Sequence, residues 1–281
     1  MTRLRPLDRV DTVGLFLPLH RELAELLRSL DAGDWRRPTR AGAWRVFDVA
    51  AHLLDVDLRR LSVQRDGHAL APDRPVAGYA DLVAWLNALN AAWVAAMQRV
   101  SPAVLIELIE LAGPAVARLF AALDPDAPAL YPVAWAGEEE SLNWMDVARD
   151  YTERWHHQQQ IRDAVGAPPL TAREWLHPLL DTAVRALPHA YRVLREPRDA
   201  SVVLEVHGDA ADTWTLLSDG EQWTLLHGPH PQPAAHVTIR DDAAWRLLFN
   251  QLDTAAARAA MTVVGDERLV APLIDARAVM V

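Results

Sequence analysis

The 281-residue chain contains no cysteine, which removes disulfides, thiolate zinc sites and any protein thiol nucleophile. Thiol chemistry, if it occurs, needs an imported thiol. Lysine is missing too, so all 28 basic residues are arginine, the mark of a GC-rich source rather than of an activity. Positive charge is in deficit: 38 acidic residues leave a net charge of −10. Binding a phosphate backbone depends on clustered cations, so nucleic acid is not expected as a partner. No apolar run reaches the roughly 18 to 20 residues that span a bilayer. The opening MTRLRPLDRVDTV is not followed by the apolar stretch of about 7 to 15 residues that marks a secretory signal. A cytoplasmic protein with no membrane partner is the expectation. Ser141, Ser201 and Ser218 lack the G-x-S-x-G setting of a serine hydrolase, and no glycine-rich phosphate loop occurs.

What is present is mostly helical periodicity. Between Val10 and Leu30, Val13, Leu17, Leu19, Leu23, Leu26, Leu27 and Leu30 recur at helical spacing. A second helix is predicted from Arg45 to Arg65, with Gly67 placed to end it. A third runs from Tyr79 to Val100, and a fourth from Pro102 to Leu123 that Gly113-Pro114 should kink or split. The next spans Asn143 to Val165, with Asn143 as N-cap, Asp146 three residues on, and Gly166 and Pro168-Pro169 as a stop. A further helix from Ala172 to Leu194 closes the bundle or links it onward. Past Arg195 to Arg198 the period alternates, in SVVLEVHG, TWTLLSDGEQWTLLHG and AAHVTIR, with Asp219-Gly220 as a hairpin turn. Helical segments return at Asp241 to Leu252 and Glu267 to Arg277. The expected fold class is α+β with two domains: a helix bundle over 1–170, a linking helix over 171–198, and an α+β domain with an antiparallel sheet over 199–281.

One constellation can carry chemistry. Glu153 and His157 lie four residues apart on one helix, about 40° apart around its axis, so a carboxylate and an imidazole can share one ion. His52, at the edge of a buried stripe on the second helix, would supply a third ligand, giving the nitrogen and oxygen donor set of a catalytic zinc with an open position. Nickel or iron fit the same donors. Asp48 or Asp55 could hold the second ring nitrogen of His52, and His156 is the fallback for His157. Against this stands the simpler reading. Trp144, Tyr151 and Trp155 form the aromatic stripe of that helix, and Glu153 lies about 200° from Trp155 among polar residues, as on a solvated face. His227 and His230 sit in a Pro-rich turn without a third ligand and are read as surface loop.

The run Trp35, Pro38-Thr39, Gly42-x-Trp44, Val46-x-Asp48-Val49-x-x-His52-Leu53 resembles the opening of the DinB-like, mycothiol-dependent maleylpyruvate isomerase family of actinobacteria. The stretch from Tyr151 through Glu153 and His156-His157 to Gly166 is similar to that family's second motif. The Trp-Thr-Leu-Leu strands and Val-Val-Gly-Asp266 are similar to the sterol-carrier-like domain that follows it. The resemblance implies an N-terminal DinB-like four-helix bundle with a C-terminal sterol-carrier-like α+β domain, and a divalent metal, zinc foremost, on His52, Glu153 and His157. It also implies mycothiol as cofactor, whose addition to a cis double bond would allow rotation and elimination to the trans isomer. Trp44 and Trp155 are placed to line a cofactor pocket. The isomerase relies further on a C-terminal arginine, for which Arg240, Arg258 and Arg268 are candidates, the first two preferred. His156 and the triplet Gln158 to Gln160 depart from the isomerase proper and fit another subgroup better.

The leading expectation is therefore a metal-dependent, thiol-using isomerase or transferase acting on a small electrophilic or unsaturated acid, as monomer or homodimer. The alternative is a non-catalytic module that encloses an apolar small molecule, which calls for a large apolar cavity.

Overall fold

The computed structural model of the chain describes residues 4–280. By internal packing they divide into two compact units: Thr12–Leu130 with Glu153–Pro169, and the residues up to Asp11 with Tyr131–Thr152 and Leu170–Met280.

The first unit is helical. α1 (Phe16–Ser29) buries Leu19, Leu23, Leu26 and Leu27, the stripe that the periodicity predicts. α2 (Val46–Arg59) starts where the Asp48 carboxylate accepts the Arg45 N–H at 2.9 Å. It widens into a π-helical stretch over Arg60–Arg65, and Gly67 follows in the left-handed region at φ 68°. α3 (Tyr79–Met97) is the one helix among the described residues long and apolar enough to cross a membrane by composition, at a mean hydropathy of 1.2. It carries Asp81 in its first turn and packs on α2, where the Trp93 indole N–H donates to the Ala51 carbonyl at 2.8 Å. α4 (Pro102–Ala121) opens on Ser101, whose hydroxyl accepts the Val104 N–H. It does not split at Gly113-Pro114. Leu105, Ile109, Ala112, Val116 and Phe120 bury one continuous face across that point, and this packing outweighs the hydrogen bond lost at Pro114.

α5 (Asn143–Val165) contributes its C-terminal part to this unit, completing the expected four-helix bundle with α1, α2 and α4. The Arg162 guanidinium reaches the Glu22 carboxylate on α1 at 2.8 Å, and Arg154 pairs with Asp57 on α2. The helix has the expected span, but its cap differs. Leu142, not Asn143, holds the cap position, its carbonyl accepting the N–H of Met145 and Asp146. Gly166 ends it at φ 72°.

The second unit carries a mixed sheet of six strands in the order β1-β4-β3-β2-β5-β6, from β1 (Arg5–Pro6), β2 (Ser201–His207), β3 (Asp212–Ser218), β4 (Trp223–His227), β5 (Ala235–Arg240) and β6 (Met261–Gly265). The sheet is not wholly antiparallel as expected. The Pro-rich residues 228–234 carry the chain to the free side of β2, so β5 runs parallel to it with Val202 opposite Ala235. The Asp219-Gly220 turn stands as predicted, with Gly220 at φ 102° and the Asp219 carboxylate accepting the N–H of Glu221 and Gln222. β5 buries Ala235, Val237 and Ile239 in alternation, whereas β2, inside the sheet, buries Val202, Val203, Leu204 and Val206 on both faces. The expected helix from Ala172 to Leu194 is two, α6 (Arg173–Ala183) and α7 (Leu187–Tyr191), because Pro188 restarts it at the first turn of α7. α8 (Asp241–Leu248), α9 (Thr254–Ala259) and α10 (Ala271–Asp275) complete the unit. β1, β6 and α9 are too short to show a period, and none was legible beforehand.

Candidate metal centre

The helical unit brings His52, Glu153 and His157 together, one ligand atom from each lying within 4.8 Å of the others. Among the described residues no other set of three does so. His52 comes from the middle of α2, where the buried stripe of Val49, Leu53 and Leu54 turns it inward, and it is 4% exposed. Glu153 and His157 project from adjacent turns of α5. The Glu153 Oε1 atom stands 3.1 Å from His52 Nε2 and 3.2 Å from His157 Nε2. Its side chain keeps 27% of its surface, so the cluster opens to solvent on the carboxylate side. Burial pushes the Glu153 carboxyl up, but the charge and hydrogen bond of His157, the hydrogen bond of His52 and the His156 ring outweigh it and hold the group well below the usual carboxylate range. Burial also lowers His52, more than its bond to Glu153 raises it, which favours the neutral imidazole that binds metals.

The donor set suits a divalent ion. The Gln160 carbonyl oxygen lies 2.8 Å from His157 Nδ1 and, being an acceptor only, suits an N–H on that nitrogen. In a neutral His157 the Nε2 lone pair then faces Oε1 at 3.2 Å. Two lone pairs at that separation repel unless a proton or a cation lies between them. Two histidines and a glutamate with no thiolate are a ligand set that catalytic zinc uses.

The neighbours of the cluster differ from expectation in part. Neither acid next to His52 holds its second nitrogen: Asp48 caps α2 and accepts from Gln98, Asp55 pairs with Arg59 at 3.0 Å, and His52 Nδ1 is buried without a hydrogen-bond partner. His156 lies outside the ligand cluster, its ring centroid 4.0 Å from that of His157. Trp44 is held by the turn before α2, where Thr39 bonds the Trp44 carbonyl, and its ring lies 5.0 Å from His52 and 6.4 Å from His157. Trp155 is wholly buried in the core, with no surface open to a ligand. The face that carries Glu153 is only partly solvated: Asp150 and Gln160 on it are at most 2% exposed, while Glu153 itself is half-buried. Gln160 is the site residue that sequence reasoning missed; its place three residues after His157 was the available signal.

The arginines belong to the other unit. Arg240 ends β5 exposed, directly before α8, and Arg258 lies on α9 with Glu267 at 3.8 Å. Arg268 pairs with Asp266 at 2.6 Å. His227, read as loop, ends β4 with its Nε2 2.9 Å from Asp212.

No curated protein matches the chain. Among solved structures it is similar to a mutant of mycothiol-dependent maleylpyruvate isomerase, with 11% identity over 92% of this chain and 93% of that one and a TM-score of 0.54. It is similar also to the unmutated isomerase, with 10% identity over the same shares and a TM-score of 0.51. At those identities the likeness is one of fold. A UbiJ-SCP2 ubiquinone synthesis protein, 22% identical over 32% of this chain and 76% of that one, reaches a TM-score of only 0.25 and supports no inference about the sheet unit. The model of the mycothiol maleylpyruvate isomerase N-terminal domain matches residues 16–162, more than half of the sequence and all three members of the cluster, and the chain belongs to that family.

Proposed function

We propose that this protein is a divalent-metal-dependent enzyme that uses a low-molecular-weight thiol of the mycothiol kind to isomerise a small electrophilic or unsaturated acid, or to transfer the thiol to it through its sulfur. The observation that carries the reading is the convergence of His52, Glu153 and His157 on one point within a family whose name specifies thiol-dependent isomerisation. The absence of cysteine fits it, since the thiol must then be brought in. When bound, the ion, zinc foremost, would favour thiolate over thiol and polarise the oxygens of the acid.

The chain's own residues have distinct parts in this proposal. His52 and His157 offer neutral nitrogens, and Glu153 supplies the one negative charge of the set. The half-buried Trp44 ring walls the cluster beside both histidines, giving an apolar surface against which the thiol or the substrate chain can lie. Arg240 and Arg258 remain the candidates to hold a substrate carboxylate, both being surface cations of the sheet unit. The rival reading, a module enclosing an apolar ligand, needs a large cavity. One cavity of the helical unit, lined by Phe16, Leu19, Leu53 and Ile109, is about 30 Å³, room for about one water; a larger pocket of about 420 Å³ is bordered by Arg21, Glu25, Arg28 and Glu110, charged groups that do not suit an apolar ligand.

The test is elemental analysis of the purified protein beside His52→Ala and His157→Ala. About one divalent ion per chain, lost in both variants while helix content survives, is expected and leads to assays with thiols and unsaturated acids. Absence of metal, with titrated zinc bound no better than by the variants, would overturn the proposal.

A further inference from the structure

We propose that Gln160 is a positioning residue of the candidate metal centre: its buried side-chain oxygen accepts the Nδ1–H of His157, keeps the proton on that nitrogen and so presents the ring's Nε2 lone pair to the ion. The inference rests on the metal reading above and deepens it.

A neutral imidazole carries one proton on one of two nitrogens, and the hydrogen bond made by the other side of the ring decides which. At His157 that choice is made locally. Gln160 follows three residues later on α5, about 60° around the axis, close enough to reach back to the same face. Its Oε1 sits 2.8 Å from Nδ1, and the residue is 2% exposed, so water does not compete for the bond. The ring is also walled in, with the His156 centroid at 4.0 Å and that of His52 at 4.8 Å. It therefore cannot swing to offer Nδ1 instead.

His52 has no such partner. Its Nδ1 is buried and unbonded, and its Nε2 lies 3.1 Å from Glu153. In the metal-free protein His52 can keep its proton on Nε2 and donate it to Glu153. The two histidines are thus unequal: His157 has its binding lone pair set in advance, while His52 must give up a proton. Removing the Gln160 oxygen would free the His157 proton to move to Nε2, where Glu153 accepts it, and an incoming ion would then have to displace protons from both rings.

The experiment compares the wild type with Gln160→Leu and Gln160→Glu. Metal-free proteins labelled with ¹⁵N-histidine are observed by imidazole NMR, with His157 assigned by the signals lost in His157→Gln. Zinc affinity is measured by competition with a chromophoric chelator. The expected result is Nδ1–H in the wild type and in Gln160→Glu, Nε2–H in Gln160→Leu, and an affinity about 10- to 100-fold weaker in Gln160→Leu only, the scale of an outer-shell partner. An Nε2–H tautomer in the wild type would overturn the proposal, and so would a folded Gln160→Leu that binds zinc as the wild type does. Should Gln160→Leu fail to fold, the wild-type and Gln160→Glu tautomers decide the matter. A wild type that shows the Nδ1–H form yet binds no zinc would sink the metal reading while upholding the hold of Gln160 on the ring.

Discussion

Glu153→Gln keeps the length of the side chain and removes its charge, which separates the two things the residue could be doing. Oε1 stands 3.1 and 3.2 Å from two imidazole nitrogens. An ion placed among them would have this carboxylate as its only anionic protein ligand. An outer partner that merely orients a ligand is worth about 10- to 100-fold in metal affinity, and a direct anionic ligand should reach at least the upper end of that range. The substitution is thus expected to weaken zinc binding at least about 100-fold, or ~2.8 kcal/mol at 1.4 kcal/mol per decade. The metal-free fold should lose stability as well. The two histidines favour the charge by more than burial opposes it, and hydrogen bonds to a charged group are worth about 1.5 to 3 kcal/mol. Chelator competition gives the first number and urea unfolding of the metal-free proteins the second. A folded variant within about threefold of the wild type in affinity would place the ion elsewhere and refute the reasoning.

Two further predictions concern the core of the helical unit. A Cβ on Gly113 would stand 2.1 Å from the Nδ1 atom of His20. Gly113→Ala, which in an exposed helix would stabilise by about 1 kcal/mol, is therefore expected to destabilise by about 1 to 3 kcal/mol through overpacking. Adding His20→Ala should remove that clash, a coupling that a double-mutant cycle on unfolding free energies measures; a single variant more stable than the wild type would contradict the packing. His20 also has its pKa lowered, first by burial and then by the Arg154 charge. The unfolded chain then takes up this proton near pH 6.5 while the folded chain resists it, so stability is full above about 6.5 and falls as the pH drops through the folded value. His20→Gln should flatten that fall in denaturant titrations of the metal-free protein. The fall should not vanish, because burial lowers His52 as well.

Much of the fold was legible because long amphipathic helices leave a strong period. The limits of α3 and the end of α5 lie within three residues of those predicted, and Gly67, Gly166 and Gly220 take the positive φ values their turns require. The failures share a cause, which is tertiary packing overriding a local signal. Pro114 is a helix breaker in isolation, yet α4 runs through it. The parallel pairing of β2 with β5 depends on where a Pro-rich connection delivers the chain, and no alternation within either strand encodes that. At the candidate site the spacing of Glu153 and His157 was visible from one helix, whereas the reach of His52 across 101 positions was suggested by its place at the edge of a buried stripe and given its weight by the family resemblance. Asp48 and Asp55 lie near His52 in sequence but are occupied by Arg45, Gln98 and Arg59, competition that spacing cannot show.

α5 brings these strands of argument together. A helix with Asp150, Thr152, His156, Gln158, Gln159, Gln160 and Arg162 all at most 6% exposed is a costly way to fill a core, since each polar group must find a partner there. Leucines at those positions would pack as densely without that demand. Part of the polarity is spent on fixing the helix: Arg162 bonds Glu22 and the Pro168 carbonyl, and Arg154 bonds Asp57. Part of it serves the cluster directly through Gln160 and His157. Both uses serve one requirement, because an ion shared by α2 and α5 is held only if α5 can neither rotate nor slide against α2. A greasy α5 would resist unfolding as well but would tolerate small rotations, and a rotation of a few tens of degrees would carry Glu153 away from His52. Directional bonds on several sides of the helix remove that freedom. If the proposed metal centre holds, the sequence feature that first suggested a solvated face, a run of polar residues around Glu153, has its physical reason in the precision with which two helices must present three ligand atoms to one point.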